Sequence, residues 1–194
     1  MDFIMKKRIY YFSGTHWDRE WYITFQEFRL KLVRLVDSLL ELLESDPDFG
    51  VFHFDGQTIV LDDYLEIQPE NRSRLEKQIR SGRILIGPWY CMPDEFLVSG
   101  ESIIRNMIIG QEICHSFGTT PWKVGYVPDI FGHIAQLPQI MKGFGIDYCM
   151  LARGIDENTP TFFRWQAPSG DEVITYRFPR EEGYGSFCLQ VTGR

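Results

Sequence analysis

Strand-like runs alternate with helical stretches at least four times along this chain, and that alternation restricts the fold more than any other feature. "RIYYFS" (8–13), "GVFHF" (50–54), "RILIG" (83–87), "KVGYV" (123–127) and "DYCMLA" (147–152) are short, apolar and rich in β-branched or aromatic residues. Between the first two, Phe25, Phe28, Leu32, Leu35, Leu39 and Leu42 recur at helical spacing, which predicts a core-facing helix from Thr24 to Glu44. A short helix is expected in "DGQTIVLDDYLEI", and another opens at Pro69 and ends at Gly82. Two more are predicted near 101–117 and 136–144. "FFRWQA" and "DEVITYRF" are further strand candidates around the turn Pro168-Ser169-Gly170. The pattern predicts an α/β fold of βα repeats with a mostly parallel sheet, either open or closed into a barrel.

In parallel α/β folds, sites gather at the carboxyl ends of the strands. His16 and Asp18 follow the first strand here, and Asp55 follows the second. Trp89, Asp94 and Glu95 follow the third, Asp129 and His133 the fourth, and Arg153 the fifth. In an extended segment, residues i and i+2 point the same way, about 6.5–7 Å apart. The imidazole of His16 and the carboxylate of Asp18 can therefore converge on one ion, and that donor pair suits zinc or another borderline divalent metal. The competing reading is a His–Asp hydrogen bond that pins a loop. Asp129, in "VPDIFGH", offers a third ligand or a carboxylate nucleophile. As a helix N-cap it is poorly placed, because Phe131-Gly132 intervenes before the helical tract.

Trp21 and Trp89-Tyr90 are candidate platforms for the C–H faces of a sugar, with core packing as the competing role. Trp21 is the better candidate because it stands in a charged cluster, "HWDREW". Arg19 and Glu20 are expected to form supporting ion pairs. His53, inside "VFHF", reads as a hydrogen-bonded core histidine. His115 reads as a partner for the negative end of a helix. Asp94-Glu95 reads either as an acid pair or as a loop-to-helix start.

The chain has 194 residues and a net charge of −7 with no basic run, which argues against nucleic acid and anionic membranes. No apolar stretch reaches the length of a membrane span. The start, "MDFIMKKRIYYF", shows no small-residue cleavage site and predicts no signal peptide. The four cysteines, at 91, 114, 149 and 188, have no CxxC spacing; they read as reduced thiols in a cytoplasmic protein. "FCLQVTGR" ends without a capping helix or polar tail, so the chain reads either as one domain or as a part of something longer.

"HWDREW" after a strand, then "GPWYCMPDE", then "PDIFGH", in this order and at these separations, resembles glycoside hydrolase family 38, the retaining α-mannosidases. The likeness runs from about residue 8 to residue 153 and is weaker beyond. The HWDREW form is similar to the bacterial branch, which includes mannosylglycerate hydrolases. The resemblance implies that residues 1–194 are the N-terminal portion of a glycosidase catalytic domain, part of a distorted (β/α)7-like barrel. It implies one zinc ion per site, with His16, Asp18 and Asp129 as ligands and Asp129 also as the catalytic nucleophile. Trp21 matches an aromatic residue that contacts the mannose. Arg153 matches an arginine near the nucleophile. His133 matches a family histidine without a metal role.

The implied substrate is an α-mannoside or a mannosylglycerate-type carbohydrate. The family's general acid/base and its remaining histidine ligand lie later in the pattern than this chain reaches. The chain by itself is therefore expected to be inactive, with an open sheet edge that favours a homo-oligomer. Two alternatives remain. A metal-dependent carbohydrate deacetylase would need a TFDDG-like segment and an HxxxH pair; "FHFDGQT" echoes the first, and the second is missing. The other is an inactive sugar-binding fragment.

Overall fold

The computed structural model describes residues 13–179 and Tyr184. Residues 8–12 of the first predicted strand and the terminal "FCLQVTGR" lie outside the described residues. The elements run β1 (Ser13–Gly14), α1 (Phe25–Ser45), β2 (Phe52–His53), α2 (Ile59–Leu65), α3 (Arg72–Arg80), β3 (Ile84–Leu85), α4 (Gly100–Ser116), β4 (Val124–Val127), α5 (Leu137–Gly143), β5 (Tyr148–Leu151), β6 (Phe162–Gln166) and β7 (Glu172–Arg177). A 3-10 turn, Pro69–Asn71, leads into α3.

The strands form two sheets. One has the order β1-β2-β3 and is wholly parallel, with Ser13 opposite Phe52 and Phe52 opposite Ile84. The other has the order β4-β5-β7-β6, in which β4, β5 and β7 are parallel and β6 returns antiparallel against β7. The fold is thus α/β with mostly parallel sheets. The antiparallel pair follows from its connection, the short turn at 168–170, which cannot make a parallel crossover. Backbone bonds tie the two sheets where they approach, with the Trp122 N–H donating to the Ile86 carbonyl at 2.9 Å.

α1 starts where its sequence provides a capping box. Thr24 accepts from the Glu27 N–H, and the Glu27 carboxylate accepts from the Thr24 N–H. One face of this helix is buried, through Phe28, Leu32, Val36, Leu39, Leu40 and Leu43. It packs with Phe52, Phe54, Ile84 and Ile86 of the first sheet and with residues of α2 and α3. Residues 52–60, from β2 through the following turn into the start of α2, are buried without a break. A second core gathers Val127, Leu151 and Val173 of the second sheet with Leu137 and Met141 of α5 and Ile103 and Met107 of α4.

Trp89 belongs to this second core. It is fully buried, and its indole N–H donates to the Tyr126 carbonyl at 3.1 Å. Its expected candidacy as a sugar platform is therefore corrected. The segment after β3 is not a free loop: the Thr58 N–H donates to the Trp89 carbonyl at 2.9 Å and the Trp89 N–H donates to the Gly56 carbonyl at 3.0 Å, which ties it across the end of the sheet. No helix among the described residues is long and apolar enough to cross a membrane.

Candidate active site

The loop after β1 carries His16, Trp17 and Asp18, and its shape is set from the end of β2. Asp55 is fully buried and takes a positive φ of 54°, a conformation non-glycine residues rarely adopt. Its Oδ2 accepts from the Trp17 N–H at 3.0 Å and from the Gln57 amide at 3.1 Å. The same oxygen lies 2.9 Å from His16 Nδ1. Gln57 also donates to the Trp17 carbonyl and accepts from the Met92 N–H, so it joins the loops after β1 and β3.

With Nδ1 held by Asp55, the other ring nitrogen faces outward. His16 Nε2 is 3.3 Å from Asp129 Oδ2 and 3.6 Å from Asp18 Oδ2. One ligand atom from each of the three residues lies within 4.8 Å of the others. Burial would lower the His16 pKa, but the Asp55 hydrogen bond and charge, with Asp18 and Asp129 beyond, raise it above the ordinary value. The arrangement attracts positive charge.

Asp129 stands just past β4. Its Oδ1 is 2.5 Å from Arg153 Nη2, and its carbonyl accepts from Arg153 Nε at 3.0 Å. Asp129 is not a helix cap, since α5 begins after Gln136. The Tyr184 hydroxyl also donates to its carboxylate, and burial together with that bond raises the tyrosine's pKa. The Tyr184 ring lies 5.0 Å from that of His16.

His16, Asp18 and Asp129 line a cleft of about 640 Å³ that also includes Asp94, Cys91, Met92 and Phe131. Burial, more than the charge of Arg19, sets the Cys91 thiol, whose pKa is raised. Trp17 lines the cleft, whereas Trp21 is 75% exposed outside that lining, edge-on to Tyr22 at 5.2 Å. The expected ion pairs divide. Arg19 forms a two-pronged pair with buried Asp63, at 2.7 and 2.8 Å, and stacks over Phe25. Glu20 makes no ion pair among the described residues. Asp94 and Glu95 do not start α4, which Ser99 caps.

The sequence placed Asp55 at a strand end but gave it no role. The signal was there, an aspartate directly after an apolar strand and before a Gly. Tyr184 lies past the recognised motifs and carried no signal. Asp55, the aspartate of the deacetylase-like echo, has Oδ2 turned to three donors inside the protein and stands apart from the His16–Asp18–Asp129 cluster.

The family model described as "Glycosyl hydrolases family 38 N-terminal domain" matches residues 6–186. A protein of Halalkalibacterium halodurans named "Putative mannosylglycerate hydrolase" is 42% identical over 88% of this chain and 20% of its own length. An "Alpha-mannosidase" of Saccharomyces cerevisiae is 27% identical over 88% of this chain and 16% of its own. The crystal structure of an alpha-mannosidase from Enterococcus faecalis superposes with a TM-score of 0.82 at 39% identity, covering 86% of this chain and 19% of that one. The chain thus spans about a fifth of the length of the first relatives it matches.

Proposed function

The chain belongs to glycosyl hydrolase family 38, and from that premise we propose that its cleft is part of a zinc-dependent, retaining α-mannosidase site with Asp129 as nucleophile. The observation that carries this reading is the convergence of His16 Nε2, Asp18 and Asp129 on one point, with Arg153 on the other oxygen of Asp129. The donor set, one imidazole nitrogen and two carboxylates, suits zinc. Asp55 on the far nitrogen of His16 is the partner a metal-bound histidine requires, since it fixes the tautomer that leaves the Nε2 lone pair outward. When bound, zinc supplies a Lewis-acidic anchor for adjacent sugar hydroxyls.

The chain's own residues divide the remaining work. Asp129 attacks the anomeric carbon as the glycosidic C–O bond breaks and the aglycone leaves with the bonding pair, to be protonated to its alcohol; water then attacks the same carbon of the glycosyl ester and frees the aspartate, so two inversions give net retention. Arg153 lies against one oxygen of the carboxylate and fixes its plane. Phe131 and Trp17 present apolar surface in the cleft, and Trp21 offers a further ring to the sugar. Substrates are α-mannosides, including mannosylglycerate-type compounds, as the names of the relatives suggest. We assign no general acid among the described residues.

The test uses the full protein encoded by the gene. It should contain one zinc per chain by mass spectrometry and should cleave an aryl α-mannoside. NMR of the first-formed sugar should show the α-anomer. Turnover unaffected by complete metal removal, or a β-anomer as first product, refutes the reading.

A further inference from the structure

Three loops meet behind Asp129, and each contributes two consecutive residues to the joint. Glu95 and Phe96 come from the loop after β3, Gly132 and His133 from that after β4, and Arg153 and Gly154 from that after β5. The first of the two rungs is polar. Glu95 Oε1 is 2.8 Å from His133 Nδ1, and Glu95 Oε2 accepts from the Ile134 N–H at 2.8 Å. His133 Nε2 is 3.0 Å from the Arg153 carbonyl. The second rung is steric. A Cβ on Gly132 would sit 2.4 Å from the Phe96 ring, and one on Gly154 would sit 2.8 Å from Gly132 Cα. The exposed Phe96 ring could move aside, but Gly154 lies against backbone at a φ of 78°, and there only glycine lets the loops approach this closely.

The polar rung is almost out of reach of water, with side-chain exposures of 3% for His133 and 0% for Glu95. The His133 ring is further fixed edge-on to Trp165 at 5.3 Å. A carbonyl cannot donate, so Nε2 must carry a proton to bond to Arg153. The position of the Arg153 backbone is thereby set by His133, and that of His133 by Glu95. From that backbone the guanidinium reaches back over Phe131 to grip both the carbonyl and the carboxylate of Asp129.

We propose that Glu95 and His133 are positioning residues that act through Arg153 to set the plane of the Asp129 carboxylate. This inference rests on the reading of Asp129 as nucleophile. It requires no change of charge at the rung. In Glu95→Gln, the amide oxygen can accept from Ile134 while the amide N–H donates to Nδ1, leaving the Nε2–H bond to Arg153 in place. In Glu95→Ala this connection is lost. A small misplacement of a reacting group can cost about 100-fold in rate.

The experiment compares Glu95→Gln, Glu95→Ala and His133→Phe in the full encoded protein with an aryl α-mannoside. His133→Phe keeps a ring against Trp165 and removes both nitrogens, so it serves if Glu95→Ala does not fold. Glu95→Gln should stay within about threefold of the wild type, whereas the other two should lose about 30- to 100-fold in kcat. KM and metal content should be unchanged. Unchanged kcat in the disrupting variants overturns the proposal, as does a Gln variant as impaired as the Ala variant. NMR exchange of the Arg153 Nε–H provides a second test independent of turnover. Protection should persist in Glu95→Gln and fall in the disrupting variants; protection that survives His133→Phe overturns the brace. A wild type that does not cleave mannosides refutes the reading of the site, while the exchange measurement still decides the brace.

Discussion

His16 and Asp129 face one another across the cleft, and they are supported differently. His16 belongs to the three-stranded sheet, where a single buried carboxylate, Asp55, holds its far nitrogen directly. Asp129 belongs to the four-stranded sheet, where Arg153 holds it, with His133 and Glu95 behind. The first support is short and sits beside the main apolar core. The second is a chain of three side chains through a joint between loops. A metal ligand needs one lone pair aimed at a point, and one partner can do that. A nucleophile must keep its carboxylate plane as well as its position, and that takes a longer frame.

The largest expected effect is on the Asp129 side. Asp129→Asn in the full encoded protein should lower kcat by ~10⁴-fold or more, because in the proposed role its carboxylate forms the ester and an amide is a far weaker nucleophile. The same change should weaken zinc binding, measured by competition with a chelating dye. Near-normal turnover would remove Asp129 from both roles and break the comparison.

The other side should respond differently. Asp55→Asn should weaken zinc binding by about 10- to 100-fold, the usual cost of losing the partner of a liganding histidine. Added zinc should restore much of the activity, which it cannot do for Asp129→Asn. If saturating zinc restores nothing, Asp55 does more than orient His16.

The smallest effect concerns stability. Burial pushes the His53 pKa down to about 4 from 6.5, and Nδ1 accepts from the Asp55 N–H, so the folded chain keeps this ring neutral. The unfolded chain binds a proton at a higher pH than the folded one. Stability from this group is therefore present above about pH 6.5 and is lost as the pH falls toward 4. The loss between pH 7 and pH 5 should be about 2 kcal/mol. Urea unfolding of the wild type and of His53→Gln over that range checks it. Equal pH slopes would show that the β2 end tolerates the charged ring.

Much of this was legible in the sequence. The start of α1 at Thr24, the helical stripe along it and the strand-end positions of His16, Asp18, Asp129 and Arg153 all rest on local patterns, and local patterns survive folding. Trp89 stayed open between sugar platform and core because its burial depends on backbone bonds to residues 56 and 58, more than thirty positions away. Asp55 was placed but given no role, because a buried carboxylate costs too much to predict until its three donors are seen together. The division into two sheets was hidden for the same reason, since a strand's sequence does not name its neighbours.

The joint behind Asp129 also bears on how such a chain can change over time. Each of the three loops contributes adjacent residues, one to the polar rung and one to the steric rung, so the two contacts share a single register. A residue inserted between positions 95 and 96, 132 and 133, or 153 and 154 would satisfy one rung only by breaking the other. A substitution there alters one contact, whereas a change of length alters both at once. Insertions and deletions in these loops should therefore collect on the outer sides of the joint, where the chain is free to lengthen without moving Asp129.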